Sequence, residues 1–391
     1  MKDEELFWRK WRDTKTGIRG FISIFGSGKT KASGGGIRVS PTITPKITKQ
    51  IAQIMREKFF LTGAGDLKTG EPIDGAGIGI CARPEQVTPD LLIRLMKETG
   101  FVRHGIGAAA STGISTKVVC QALNIVHLQE PICRAIHTYP VRPCRIGKDN
   151  LKQAKRSLIM TNEFVKKPLS LRHFAPTNLA TGLAAAEIVN RFFINLAGKR
   201  IVMIGFGAAG GSFAFRSVKL GAKIVFVANS EGAIKLKSSQ AGIPMLLQKI
   251  RKGKAPVPRL HISDFGQPIA LIDGLRQTEF DILVMACTEG VIDRPTMLAI
   301  HKKTTVVSIA NMPWAADAQK EAKERLNIFP AGLINLGNAT LFSLACLGCQ
   351  AKNPNNLLDR TIKSALAIVQ ESQKVKDRKE PVWNKVIPNY L

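Results

Sequence analysis

Arg200-Ile201-Val202-Met203-Ile204-Gly205-Phe206-Gly207-Ala208-Ala209-Gly210 is the stretch on which the fold turns. An apolar strand, Arg200 to Ile204, leads straight into Gly-x-Gly-x-x-Gly, and a helix is predicted from Gly211 to Leu220. In that setting Gly205 permits a tight turn, Gly207 lets the backbone approach a pyrophosphate, and Gly210 lets helix and strand come close. The N–H groups of the Gly207-Ala208-Ala209-Gly210 segment then sit at a helix N-terminus, where the dipole and the free donors favour an anion. Leu220-Gly221-Ala222 closes the helix and a second strand is predicted over Lys223 to Ala228. The residue that ends this strand sorts nicotinamide cofactors, because an acid there accepts from the ribose 2′-OH and repels a 2′-phosphate. Asn229 and Ser230 occupy the place, followed by Glu231. Neutral Asn229, with Lys235 and Lys237 downstream, tilts the reading slightly toward NADP, while Glu231 keeps NAD open.

Working outward, further strands are predicted at Asp281 to Ala286, Thr305 to Ile309 and Asn327 to Pro330, with helical material between them. Strands that alternate with helices imply a parallel sheet. Asn178 to Asn195 reads as an amphipathic helix ahead of the first strand, and Asn338 to Gln370 reads as helical. On the N-terminal side, Glu4 to Arg12 reads as a short helix and Ile18 to Phe25 as a strand. A Gly-rich loop follows from Gly26 to Gly36, with a second strand starting at Ile37. Thr44 before Pro45 and Thr88 before Pro89 are helix starts, since Pro suits the first helical turn. Ile47, Ile51, Ile54 and Met55 recur at helical spacing. Ser115 to Leu123 and the charged segment Leu151 to Phe164 are further predicted helices, the latter inside a Pro-rich hinge from Pro131 to Pro176.

The chain has 391 residues, enough for two or three domains, and 45% hydrophobic content suits a globular protein. Met1 to Glu5 lacks the apolar stretch of a signal peptide, and no run of about 18 apolar residues appears, so a cytosolic protein is expected. Seven irregularly spaced cysteines do not form a disulfide framework. Cys346-Leu347-Gly348-Cys349 has redox spacing but lies in an apolar run, and Cys133, His137 and Cys144 lack a fourth partner, so no metal site is expected. The formal net charge is +28. Its basic clusters lie far apart with few aromatics between them, which reads as a solvated surface and argues against nucleic acid as the partner.

These motifs together resemble the glutamate/leucine/phenylalanine/valine dehydrogenase family, in order along most of the chain. Asp13 to Ile18 with Phe21 to Ile24 resembles its opening hairpin, and Gly35-Gly36-Ile37-Arg38 its Gly-Gly-Ile-Arg strand. Met55-Arg56-Glu57-Lys58 falls where the family has Met-Thr-Trp/Tyr-Lys, and Ala180-Thr181-Gly182 matches the Ala-Thr-Gly before the nucleotide fold. Gly205-Phe206-Gly207, Gly221-Ala222-Lys223, Ala310-Asn311-Met312-Pro313 and Asn335 complete the series.

The resemblance implies an α/β protein of three parts. Residues 1–170 would form an N-terminal α/β substrate and oligomerisation domain, and 171–340 a Rossmann-type parallel-sheet NAD(P)-binding domain. The C-terminal helices, 341–391, would pack back on the first domain. It further implies a homo-oligomer, a small amino acid or 2-oxo acid as substrate, and hydride transfer at C2. Lys58 would bind the substrate carboxylate, lined by Arg38, while Thr181 and Asn311 would position the nicotinamide. The family's second Lys aligns with Gly77, or by a gapped alignment with Lys68. Its proton-shuttling Asp aligns with Ser111, with Asp74 and His104 as nearby substitutes. Two readings stay open: an oxidoreductase with rearranged catalytic groups, or a catalytically degenerate dinucleotide- or amino-acid-binding regulator or scaffold. If the charge is incidental, a salt titration will find DNA and RNA binding weak and lost near about 0.15 M salt.

Overall fold

A computed structural model describes residues 3–30, 33–62, 72–101, 103–111, 113, 114, 116–129, 176–230, 232–237, 266–346 and 351–374. The described residues fall into two compact units, drawn from 1–163 and 342–351 in the first and from 164–341 and 352–374 in the second. Lys68, Glu231, Cys133, His137, Cys144, Cys349 and the predicted helix over 151–164 lie outside the described residues.

The first unit is built on a five-stranded sheet: β1 (Glu4–Arg12), β2 (Arg19–Gly26), β3 (Ser33–Val39), β4 (Asp74–Cys81) and β5 (Ile106–Ala110), in the order β1-β2-β4-β3-β5. Pairing is antiparallel from β1 to β2 and β2 to β4, and parallel from β4 through β3 to β5. Helix α1 (Pro45–Thr62) covers one face; α2 (Pro89–Glu98) and α3 (Thr116–Gln129) cover the other. The residues of β4 alternate accordingly. Ala76, Ile78 and Ile80 enter the core with Leu91, Leu95 and Val119, while Gly75, Gly77 and Gly79 meet α1.

Two expectations are corrected here. Glu4–Arg12 is a strand, not a helix: the turn from Asp13 to Ile18 folds it back on β2, and Phe7, Trp8 and Trp11 suit a pleated, half-buried surface. The glycine-rich stretch is not loop up to Gly36, because β3 starts at Ser33 and its glycines pair with β4 and β5. The helix starts are as read: Ile47 N–H donates to Thr44 Oγ1 at 3.3 Å and Leu91 N–H to Thr88 Oγ1 at 3.2 Å.

The second unit holds a seven-stranded sheet. Its strands are β6 (Arg200–Ile204), β7 (Lys223–Asn229), β8 (Gly232–Leu236), β9 (Gly266–Ile269), β10 (Ile282–Met285), β11 (Thr305–Ser308) and β12 (Asn327–Ile328), ordered β12-β11-β10-β6-β7-β8-β9. The five strands from β12 to β7 are parallel, a Rossmann-type arrangement with the order reversing beside β6. Their apolar runs bury side chains on both faces, as a helix-covered parallel sheet requires. One edge adds two strands that the sequence pattern did not mark. Asn229 pairs with Gly232 across a tight turn, and β8 and β9 run antiparallel.

Helix α4 (Pro176–Ile188) ends in a π-turn over Val189–Phe193, and α5 (Ala208–Lys219) follows the glycine turn. Short helices α6 (Leu271–Gln277), α7 (Arg294–Leu298), α8 (Gln319–Arg325) and α9 (Ala331–Ile334) link the later strands. Helices α10 (Gly337–Cys346) and α11 (Pro354–Lys374) close the described chain. Helix α4 is buried around most of its circumference rather than along one stripe, because α5 and α11 both cover it. Residues 352–374 group with this unit, and 342–351 with the first, where Ser343 Oγ donates to Thr62 Oγ1 at 2.9 Å.

Asp13 ties the first hairpin to α2. Its buried carboxylate accepts from Arg94 Nε at 2.7 Å and Nη2 at 2.9 Å, and from Thr16 Oγ1 at 2.6 Å. The Arg94 hydrogen bonds outweigh burial and hold the carboxyl well below the usual range. A folded value under the unfolded one of about 3.9 means stability present above that pH and lost as pH falls through the folded value. Asp13→Asn is therefore expected to cost about 2 kcal/mol at pH 7. The gap to wild type narrows below about pH 4, as urea denaturation at the two pH values will read out.

Candidate functional site

Gly205 ends β6 at φ +93°, a conformation that side chains disfavour. A Cβ there would sit 2.4 Å from the Ala286 carbonyl and 2.6 Å from Cys287 N. Its N–H donates to Ala228 O at 2.8 Å, so the turn is tied to β7 while it touches the end of β10. Gly210 closes the turn from the helix side, where a Cβ would lie 2.2 Å from Gly205 O. Gly207 is different: a Cβ would meet nothing within 4 Å. Open space therefore faces the start of α5, whose first-turn amides have no intrahelical acceptor. Ala208 and Ala209 are half-buried on this rim. A cradle of this shape, with no acidic residue in the first turn of α5, suits a diphosphate.

Other residues of the second unit contact α5 or one another nearby in the fold. Gly182 presses against the start of α5, a Cβ there lying 2.1 Å from Ala209 O, which places neighbouring Thr181 beside it. Gly337 lies against the backbone of Ala180 and Thr181. Two residues earlier, Asn335 Nδ2 donates to Asn311 Oδ1 at 3.2 Å and also to Ile309 O. Asn335 thus fixes Asn311, a role that no local pattern signals because the partners are far apart in sequence. Asn229 and the exposed Ser230 end β7, next to the glycine turn, and form one side of the tight turn into β8. Burial pushes the thiol of Cys287, whose backbone N lies beside Gly205, up to about 12.

The first unit gives a different picture. Lys58 lies on α1, only 4% exposed, and Arg38 on β3 is 3% exposed with Nη1 donating to Gly36 O at 3.1 Å. Ser111 is exposed just past β5 and is held by its N–H to Ile37 O at 3.1 Å. Asp74 is buried at the start of β4, where it accepts from Ser27 N at 3.0 Å and Thr30 Oγ1 at 3.2 Å and lies 3.6 Å from Arg56. Burial raises its carboxyl, with Arg56 opposing. That set of partners makes it a structural carboxylate. His104 packs against Phe7 with ring centroids 4.0 Å apart and the rings tilted by 33°, and burial lowers its pKa.

At Gly77 the backbone of β4 approaches α1 so closely that a Cβ would lie 2.0 Å from Thr48 O and 3.1 Å from Ala52 N. The position is closed to any side chain. Among the described residues no group of three or more His, Cys, Asp or Glu comes together as a metal ion would need, and no helix is long and apolar enough to cross a membrane.

Residues 173–355 match the family model described as Glutamate/Leucine/Phenylalanine/Valine dehydrogenase. An NADP(+)-dependent glutamate dehydrogenase of Pyrobaculum calidifontis is 28% identical over 172 residues, covering 42% of this chain and 39% of that protein. An NADP-specific glutamate dehydrogenase of Saccharolobus shibatae is 27% identical over 179 residues, covering 44% and 41%. The matched stretch is thus about two fifths of each relative's length. Among solved structures, the leucine-bound hetero-hexameric glutamate dehydrogenase of Thermus thermophilus shares the fold, with a TM-score of 0.63 at 17% identity over 100% of this chain and 87% of that one.

Gly77→Lys, which would restore the side chain expected by alignment, is expected to destabilise the fold by at least about 3 kcal/mol through overpacking against α1. Differential scanning calorimetry will register this as a lower Tm. By sequence over residues 173–355 and by fold along its length, the chain resembles the glutamate/leucine/phenylalanine/valine dehydrogenase family.

Proposed function

We propose that the second unit binds a nicotinamide dinucleotide, and that the chain is an NAD(P)-dependent oxidoreductase acting at C2 of an amino acid or 2-oxo acid. One observation carries the reading: a glycine turn closed at Gly205 and Gly210 and open at Gly207, beside the point where the strand order reverses. The nicotinamide, when bound, supplies the hydride acceptor or donor. The N–H groups from Gly207 to Gly210 hold the diphosphate, and Asn229 and Ser230 meet the adenosine ribose. Thr181, together with Asn311 as fixed by Asn335, orients the nicotinamide end. The absence of an acid at the end of β7 favours NADP, in keeping with the two NADP-dependent relatives. Lys58 holds the substrate carboxylate. The assembly is a homo-oligomer, and the partners are small molecules rather than nucleic acid or membrane.

The closed Gly77 and the neutral Ser111 bear on the chemistry. Reversible deamination needs a group that activates water and one that moves protons, and a positioned proton donor contributes roughly 10²–10⁴-fold. A side chain cannot be restored at Gly77, and a serine hydroxyl does not ionise at neutral pH. Lys68 is the remaining candidate cation near this strand in sequence. Hydride delivery to a substrate that already carries its C=O or C=N bond asks less of these groups than deamination does.

The same observation favours a second reading, in which the chain keeps the dinucleotide but has lost turnover and acts as a regulator or scaffold. Calorimetry with NADP, NADPH, NAD and NADH, followed by turnover assays on a panel of amino and 2-oxo acids with and without ammonia, separates the two. The oxidoreductase reading expects binding and cofactor oxidation with at least one 2-oxo acid. Binding and thermal stabilisation without turnover on any of the panel leaves the second reading. Absence of heat with all four nucleotides at millimolar concentration removes both.

A further inference from the structure

A second concavity opens on the same edge of the second unit's sheet. Ser308, which ends β11, lies in register with Met285 of β10, and Met285 with Ile204, the residue before the glycine turn. Ser308 lines a cavity of about 420 Å³. With strands about 4.8 Å apart, the cavity begins on the order of 10 Å across the sheet from that turn. It thus stands outside the carboxyl ends of parallel strands, where open α/β sheets take ligands. Its volume falls in the range of small-molecule sites, roughly 300–1,000 Å³.

The chemistry of the lining is one-sided. Trp314, Leu326 and Phe329 give it an apolar and aromatic wall, and Asn311 and Ala331 also line it. Phe329 is held in place by stacking on Phe193, with ring centroids 4.8 Å apart. Gln319 and Lys323 reach it from α8, and no carboxylate is among the lining residues. Glu321 on the same helix is engaged elsewhere, accepting from Arg294 Nε at 2.9 Å. Among the described residues Lys323 makes no ion pair, so its ammonium is a cation at the mouth of an apolar cavity. A flat aryl body matches the wall, and one carboxylate matches the cation and the amide.

We propose that this cavity binds a small carboxylic acid with an aryl or branched alkyl body, its carboxylate on Lys323 and Gln319 and its body against Trp314 and Phe329. The cavity lies two strands from the diphosphate cradle and shares only Asn311 with the residues proposed for the dinucleotide; the proposal does not rest on dinucleotide binding. A larger side chain at Ala331, a lining residue, is expected to take up part of its volume.

Calorimetric titration of the full chain with phenylacetate and 4-methylpentanoate, with benzyl alcohol as the uncharged control, tests the assignment. Phenylacetate is expected to bind at least about tenfold more tightly than benzyl alcohol, as one charge-assisted contact implies. Lys323→Gln, at an exposed position, is expected to erase that difference, and Ala331→Leu to remove binding of both probes. Gly207→Val, which blocks the cradle in open space, should leave phenylacetate binding unchanged, so a failure of the dinucleotide reading is distinguishable. No heat with either acid at millimolar concentration overturns the proposal. So does wild-type affinity in both Lys323→Gln and Ala331→Leu, with each variant's Tm showing that it is folded.

Discussion

The second unit depends on one close approach. At Gly205 the chain leaves β6 in a left-handed conformation and passes the Ala286–Cys287 peptide at a distance that no side chain permits. The same residue is hydrogen-bonded to Ala228 on β7. Three strands are therefore locked at one level, and the rest follows from that level. Helix α5 starts close enough for Gly210 to touch Gly205, α4 lies against the start of α5 through Gly182, and Gly337 lies against α4. Backbone contacts, not side-chain chemistry, link α5, α4 and the start of α10 in turn. Side chains enter only at the end, where Asn335 holds Asn311.

The first unit uses the same device to a different end. In β4 the residues facing α1 are Gly75, Gly77 and Gly79, and the helix backbone settles onto them. Close packing of backbone on backbone gains dispersion contacts and excludes water. It also leaves that face of the strand without a side chain from Gly75 to Gly79. A functional group on this face and a helix seated this closely are mutually exclusive, and the sequence Gly-Ala-Gly-Ile-Gly-Ile commits to the helix. The polar residues that remain nearby are already engaged. Asp74 serves Arg56, Ser27 and Thr30, and His104 serves Phe7.

The parallel core of the second unit was legible because its signals are local. Apolar runs of four or five residues, a glycine turn and a following helix each declare themselves within a short window, and β6, β7, β10 and β11 lie where the pattern places them. The β7–β8 turn was missed although Asn229 to Gly232 is turn chemistry, because those residues were read only for cofactor choice. Glu4–Arg12 was misread for a related reason. Its charges and aromatics fit helical spacing as well as alternation, and only its pairing with β2 decides between them. Helix α4 looked one-sided because sequence does not reveal that α11, far along the chain, covers its other side.

For the candidate site the division is similar. By itself the sequence determined that a glycine turn follows an apolar strand and precedes a helix, that Gly77 and Ser111 stand where a lysine and an aspartate would be expected, and that the end of β7 is neutral. Those are statements about identity and spacing, which a one-dimensional string carries. Tertiary structure alone decided that Gly207 faces open space, that Gly77 is closed by α1, that Asn335 reaches Asn311, and that Trp314, Phe329 and Lys323 surround one cavity. The physical reason is that each depends on which distant backbone lies within a few ångströms. That distance is set by packing of whole elements, which local residue preference does not encode.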